Sequence, residues 1–304
     1  MVFGPLLSEA IKSKLTYQIF HTEQNDSADL ELIVLASNNT FYHTTIPFPK
    51  PPSPPPKFPT NDSIKSLPLS RLSTRELTKL FPRYHPTLMT RAPEPHLLQD
   101  PFIKRQRLIP DLHMHEGLDP DFPIARDLLS SEIGILETLR AHPHPNIAEY
   151  HGVLLHPFLG GSHVTDILYT RYATDLDDFY ANPAARSPAN SALILNGVKA
   201  AIAHLHSLGI AHHDVRPANI FLDVEGFEDG GMQVTKVVLG DFDAAVEFGK
   251  GGWSVKHAPT GVWWDEELWR FGMVVDGEMD LRGLRVLERW LDDTGIEGVV
   301  DAYA

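Results

Sequence analysis

Residues 205–223 read LHSLGIAHHDVRPANIFLD, and residues 237–243 read VVLGDFD. In the first stretch a helical pattern stops at Gly209, a loop exposes Asp214 and Asn219 five positions apart, and an apolar strand begins at Ile220. In the second, another apolar strand ends on a carboxylate, Asp241, twenty-two residues after Asn219. Taken singly, an Asp or Asn in a loop is a turn residue. Taken together, the three provide what phosphoryl transfer requires: one acceptor for the proton of an incoming hydroxyl, and two oxygen ligands that hold a divalent ion against phosphates.

These loops resemble those of the eukaryotic protein kinase superfamily, whose catalytic loop reads HRDxKxxN and whose metal loop reads DFG. Here the corresponding residues are His212-His213-Asp214-Val215-Arg216-Pro217-Ala218-Asn219 and Asp241-Phe242-Asp243. With HPHPNIAEYHGV at 142–153 and GDFDAA at 240–245, the wording is most similar to a divergent fungal group of serine/threonine kinase-like proteins, over residues 101–291. The resemblance implies ATP and Mg²⁺ as cofactors and a protein substrate. It implies that Asp214 takes the hydroxyl proton, that Asn219 and Asp241 hold the metal, and that Arg216 stands where the family has a lysine, keeping the charge on a planar donor. It further implies that Lys104, in Phe102-Ile103-Lys104, contacts the phosphates, with Glu132 as its partner and Glu137 as the alternative acid on the same helix. Residues 170–173, through Thr170 and Tyr172, would border the adenine edge. Asp280 would anchor the catalytic loop.

Working outward, strand-like runs occupy 15–20 and 30–36, followed by PFPKPPSPPPKFP at 47–59, eight prolines in thirteen positions. Such a run is an extended polyproline linker, and its Pro52–Lys57 portion fits a loose motif for a protein partner with an aromatic groove. Residues 73–80 fit a capped helix. Strands are expected at 102–108, 153–155 and 167–172, and helices at 124–140, 176–180, 192–208 and 281–291. The expected organisation is an N-terminal strand-containing segment (1–46), a linker (47–60), a connector (61–96) and a kinase-like domain (97–304) with lobes at 97–173 and 174–304. The fold class is α+β: a two-lobed protein-kinase-like fold with a reduced small lobe and a truncated helical large lobe.

Composition narrows the alternatives. The 304 residues contain no cysteine, which removes disulfides, thiolate nucleophiles and cysteine metal sites and points to a cytoplasmic or nuclear compartment. A formal charge of −14 disfavours a nucleic-acid partner. Residues 117–304 carry 29 acids against 13 bases, so the excess lies in the second part. No run reaches the roughly 18 apolar residues of a membrane helix, so no membrane partner is expected. The histidines of His113-Met114-His115 have no third ligand at a metal-site spacing.

The chain also departs from the kinase pattern. No glycine occurs between Gly4 and Gly117, so the glycine-rich phosphate lid is absent or built differently. Asp243 replaces the last glycine of the metal loop. Residues 260–266, TGVWWDE, resemble a worn substrate-docking segment. Three readings therefore stand: a serine/threonine kinase, a pseudokinase serving as a nucleotide-binding or scaffold module, and a small-molecule kinase of related fold.

Overall fold

A computed structural model describes residues 17–24, 30–36, 41–46, 64–71, 81–105, 125–155, 161–226, 231–250, 263 and 275–292. The linker at 47–59, the helix expected at 73–80, His113–His115 and, apart from the buried Trp263, the segment 260–266 lie outside the described residues. Two compact units interleave along the chain. One comprises Met1–Tyr84, Arg105–Leu129 and Leu154–Asp166, the other His85–Lys104, Ser130–Val153 and Ile167–Ala304.

The first unit contains a four-stranded antiparallel sheet in sequential order: β1 (Tyr17–Gln24), β2 (Leu30–Ala36), β3 (Phe41–Ile46) and β4 (Ser70–Arg71). The two strands expected from sequence are present, and β3, a β-branched run not anticipated, pairs Leu30 with Ile46 and Leu35 with Phe41. Leu32 and Val34, two apart and so on one face, join Tyr42, Ile64 and Leu69 in a buried cluster.

Next along the chain come β5 (Pro101–Arg105), helix α1 (Ala125–Ala141), β6 (Tyr150–Leu155) and β7 (Val164–Thr170), the strands forming a sheet in the order β5-β7-β6. Ile133, Leu136 and Leu139 on α1 are buried, spaced at three residues, as an amphipathic helix requires. In the second unit, residues 90–92 run beside β6. Val153 N–H donates to Thr90 O at 2.8 Å, and Ala92 N–H donates to Val153 O at 3.0 Å. This approach needs a glycine at 152, where φ is +128° and a Cβ would meet Ala92 N at 2.6 Å and Thr90 O at 2.7 Å. Gly152→Ala is accordingly expected to cost at least about 2 kcal/mol, read as a lower denaturation midpoint at unchanged m-value.

The remaining elements are β8 (Thr174–Asp175), α2 (Leu176–Ala181), α3 (Pro188–Ser207), β9 (Ile210–Ala211), β10 (Ile220–Gly226), β11 (Met232–Leu239), β12 (Val246–Glu247) and α4 (Glu278–Asp292). Helix α3 starts where its sequence says it should: the Ser187 hydroxyl accepts Asn190 N–H at 3.2 Å, and Pro188 fills the first helical position. Its buried stripe, Ile194, Val198, Ala201, Ile202 and Leu205, has helical spacing, and α3 packs against β11 and α4.

Two nested antiparallel ladders set up the site. The inner hairpin pairs Ile220 with Leu239, and the outer ladder pairs Ala211 with Val246. The loop entering β10 and the loop leaving β11 are thereby trapped at one level, and Gly240 N–H donates to Asn219 O at 3.0 Å. A sequence separation of twenty-one residues becomes a single hydrogen bond.

Candidate active site

The catalytic-loop backbone is held from beneath. Asp280, 0% exposed in the first turn of α4, accepts the amides of His212 (2.8 Å) and His213 (2.7 Å) and the imidazole Nε2–H of His206 (2.8 Å). Burial pushes the Asp280 carboxyl up, but these donors outweigh it and hold the group below the ordinary aspartate value. His213 takes a left-handed conformation, φ 67°, which its bond to Asp280 sustains. His212 Nε2 lies 2.9 Å from Gly240 O. A carbonyl only accepts, so Nε2 carries the proton, and Nδ1 accepts Asp214 N–H at 3.3 Å. One buried imidazole thus joins both loops, with the Phe242 ring against its edge at 5.2 Å.

Asp214 is 4% exposed. Arg216 Nε stands 3.0 Å from its Oδ1, and Asn219 Nδ2 donates at 2.8 Å to both its Oδ2 and its backbone carbonyl. Across the inner hairpin, Asp241 is left-handed at φ 60°, and its Oδ1 accepts from Lys104 Nζ at 2.5 Å.

Lys104 is the centre of charge. Besides Asp241 it donates to Glu132 Oε1 at 2.6 Å, and Asp243 Oδ2 lies 3.7 Å away. Burial favours the neutral amine, but Glu132, Asp241 and Asp243 outweigh it and hold the ammonium above its usual range. Burial raises the pKa of Glu132, with Lys104 pulling the other way. The Tyr169 hydroxyl also donates to Glu132 Oε1, at 3.2 Å, and burial with these carboxylates keeps that phenol well above its ordinary value. The alternative acid is engaged elsewhere: Glu137 accepts from Thr90 and Tyr150.

Lys104, Asn219 and Asp241 line one cavity of about 360 Å³ with Thr170, Arg171, Tyr172 and Ala173. Thr170 N–H donates to Glu149 O, and Ala173 N–H to Leu222 O, both at 3.0 Å. The Tyr172 ring stacks on Phe221 at 6.2 Å, and its hydroxyl accepts Glu149 N–H at 3.1 Å. Lining residues that sequence reading passed over include Phe102, Ala148, Phe221, Asp175 and Asp178. Phe221 was within reach of a period-two reading of β10, because its neighbours Ile220 and Leu222 are fully buried on the other face.

The donor set suits a hard divalent ion. Two carboxylates, Asp241 and Asp243, and one carboxamide, Asn219, surround the end of the inner hairpin, all offering oxygen. Among the described residues no group of three or more His, Asp or Glu side chains forms a protein-only metal cage. Mg²⁺ is bound through one or two carboxylates, with substrate phosphates and water completing its shell.

Residues 121–265 match the family model described as protein kinase domain. Over these residues, just under half of its length, the chain is similar to the protein kinase family. Among curated relatives, the serine/threonine-protein kinase PSK1 of Saccharomyces cerevisiae is 28% identical over 155 residues, 44% of this chain and 10% of that protein. The serine/threonine-protein kinase ppk6 of Schizosaccharomyces pombe is 31% identical over 125 residues, 37% of this chain and 14% of that protein. The chain therefore spans a small part of the length of these two kinases. Among solved structures, the yeast RNA Pol II CTD kinase CTDK-1 complex has 19% identity and a TM-score of 0.44, covering 59% of this chain and 53% of that one. The fold class of this chain is α+β, with helices and sheets both contributing.

Proposed function

We propose that this kinase-family chain is an ATP- and Mg²⁺-dependent phosphotransferase acting on serine or threonine hydroxyls of proteins. The observation that carries the reading is the convergence of Lys104, Asn219 and Asp241 on one cavity, with Asp214 bonded to Asn219. Asp214, aligned by Arg216 and Asn219, receives the proton of the acceptor hydroxyl as its oxygen bonds to the terminal phosphorus and the bond to the bridging oxygen breaks, releasing ADP. Asn219 and Asp241 hold the metal, which when bound neutralises charge along the phosphates. Lys104 positions the phosphates, and Glu132 aligns Lys104. Arg171 and Tyr172 offer backbone groups to the adenine edge, since the amides of Thr170 and Ala173 are engaged within the chain. The proline run at 47–59 would dock a separate protein partner, and the lack of cysteine favours a cytoplasmic or nuclear site.

Thermal denaturation with ATP and Mg²⁺ tests the nucleotide part. Ligand at 100 times its Kd adds about 2.7 kcal/mol to stability, so a clear rise in Tm is expected, and no shift at millimolar nucleotide would exclude the reading. Transfer itself is read as labelled phosphate on protein acceptors, with metabolite acceptors as the comparison.

A scaffold reading is favoured by one feature. Lys104 already faces three carboxylates, one of them Asp243 in place of the family glycine, and phosphates must compete with them. Under that reading nucleotide can bind without turnover, and Asp243→Gly would leave transfer at zero. Under the kinase reading the same variant retains transfer.

A further inference from the structure

The helix that presents Glu132 is tied across its sheet at two points, and only one of them belongs to the site described above. At one end Glu132 binds Lys104 of β5 and Tyr169 of β7. At the other, Glu137 Oε1 accepts the Tyr150 hydroxyl of β6 at 2.8 Å and Thr90 N–H at 2.6 Å, while Oε2 accepts the Thr90 hydroxyl at 2.8 Å. Thr90 is itself fixed, because its carbonyl accepts Val153 N–H and Gly152 admits its backbone. Five residues along an α-helix are roughly 7.5 Å of rise and about 140° of rotation. A helix held only at Glu132 can turn or slide about that point. A second anchor at a different height and azimuth removes both freedoms.

We propose that Thr90 is a positioning residue that acts through Glu137, holding α1 in the setting that pairs Glu132 with Lys104. The segment containing Thr90 precedes β5 and occupies the free edge of β6, so it supplies order at the edge of the sheet opposite Lys104. This inference rests on the kinase reading for its effect on rate, and on geometry alone for its effect on the helix.

The test uses the full chain with Thr90→Val, which keeps the volume and the backbone amide but removes the hydroxyl, and Thr90→Ser, which restores the hydroxyl. One hydrogen bond to a charged acceptor corresponds to about a tenfold effect. Thr90→Val should lower kcat about tenfold with KM for ATP changed less than threefold and Tm nearly constant. Thr90→Ser should recover most of the loss. Combined with Glu132→Gln, Thr90→Val should add no further loss, because its route to the chemistry is already cut. Hydrogen exchange of amides 130–141 should quicken in the Val variant and not in the Ser variant. Additive rate losses, or unchanged exchange in the Val variant, would overturn the proposal. If the wild-type chain transfers no phosphate to any acceptor, the kinase reading fails, and the exchange comparison alone still decides the role of Thr90.

Discussion

Asp241→Asn is expected to reduce phosphoryl transfer at least a thousandfold while the chain still folds. Asp241 ends the inner hairpin in a left-handed turn, lines the cavity and meets Lys104 at 2.5 Å. The amide keeps the volume and one oxygen but removes the charge that a divalent ion requires. Losing metal-phosphate neutralisation removes several kcal/mol of transition-state stabilisation, and a thousandfold corresponds to about 4 kcal/mol. Lys104 would keep Glu132 as a partner at 2.6 Å, so the cavity wall need not collapse. Initial rates of labelled phosphate transfer, with a denaturation curve to verify folding, give the measurement. A variant that turns over at the wild-type rate would show that Asp241 is not a metal ligand.

The second large effect concerns stability. Asp280→Ala removes the acceptor of two backbone amides and one imidazole at a position with no exposure. Stranding those donors costs about 3–5 kcal/mol, a large share of the 5–15 kcal/mol that holds a domain. A fall in Tm of about 10 °C follows for a unit of this size. Activity should fall further than stability, because His213 loses the bond that sustains its left-handed turn next to Asp214. The sign with pH follows from the depressed carboxyl of the folded chain. A carboxylate whose folded pKa lies below its unfolded value stabilises fully above the unfolded value, and that share is lost as pH falls through the folded value. Wild-type stability should therefore drop below about pH 4, and the Ala variant should show a shallower drop there. Equal acid sensitivity in both proteins would remove Asp280 as its source.

Much of the chemistry lay in local wording. Asp214 and Asn219 sit in a loop bounded by a helix stop and an apolar strand, and Asp241 follows a second apolar strand, so their spacing is a property of consecutive residues. Helices α3 and α4 were legible for the same reason, since periodicity and capping act within a few turns. Lys104 and Glu132 were different. Each is an ordinary charged residue in its own segment, and only resemblance to a family pattern singled them out. Their 2.6 Å pairing, and the engagement of Glu137 with Thr90 and Tyr150, depend on how α1 is rotated over the sheet.

By itself, then, the order of residues determined the four helices, the longer strands other than β3, the loop that carries the acid and amide, and the lack of a glycine-rich run before Lys104, because each depends on backbone preferences and side-chain period over short range. Tertiary structure alone decided that Asp241 and Asp243 also meet Lys104, that His212 bridges two loops and that Thr90 meets Glu137 of α1. Those outcomes come from ladder register and helix orientation, which bring together groups from 13 to 137 positions apart and have no signature in any single stretch of chain.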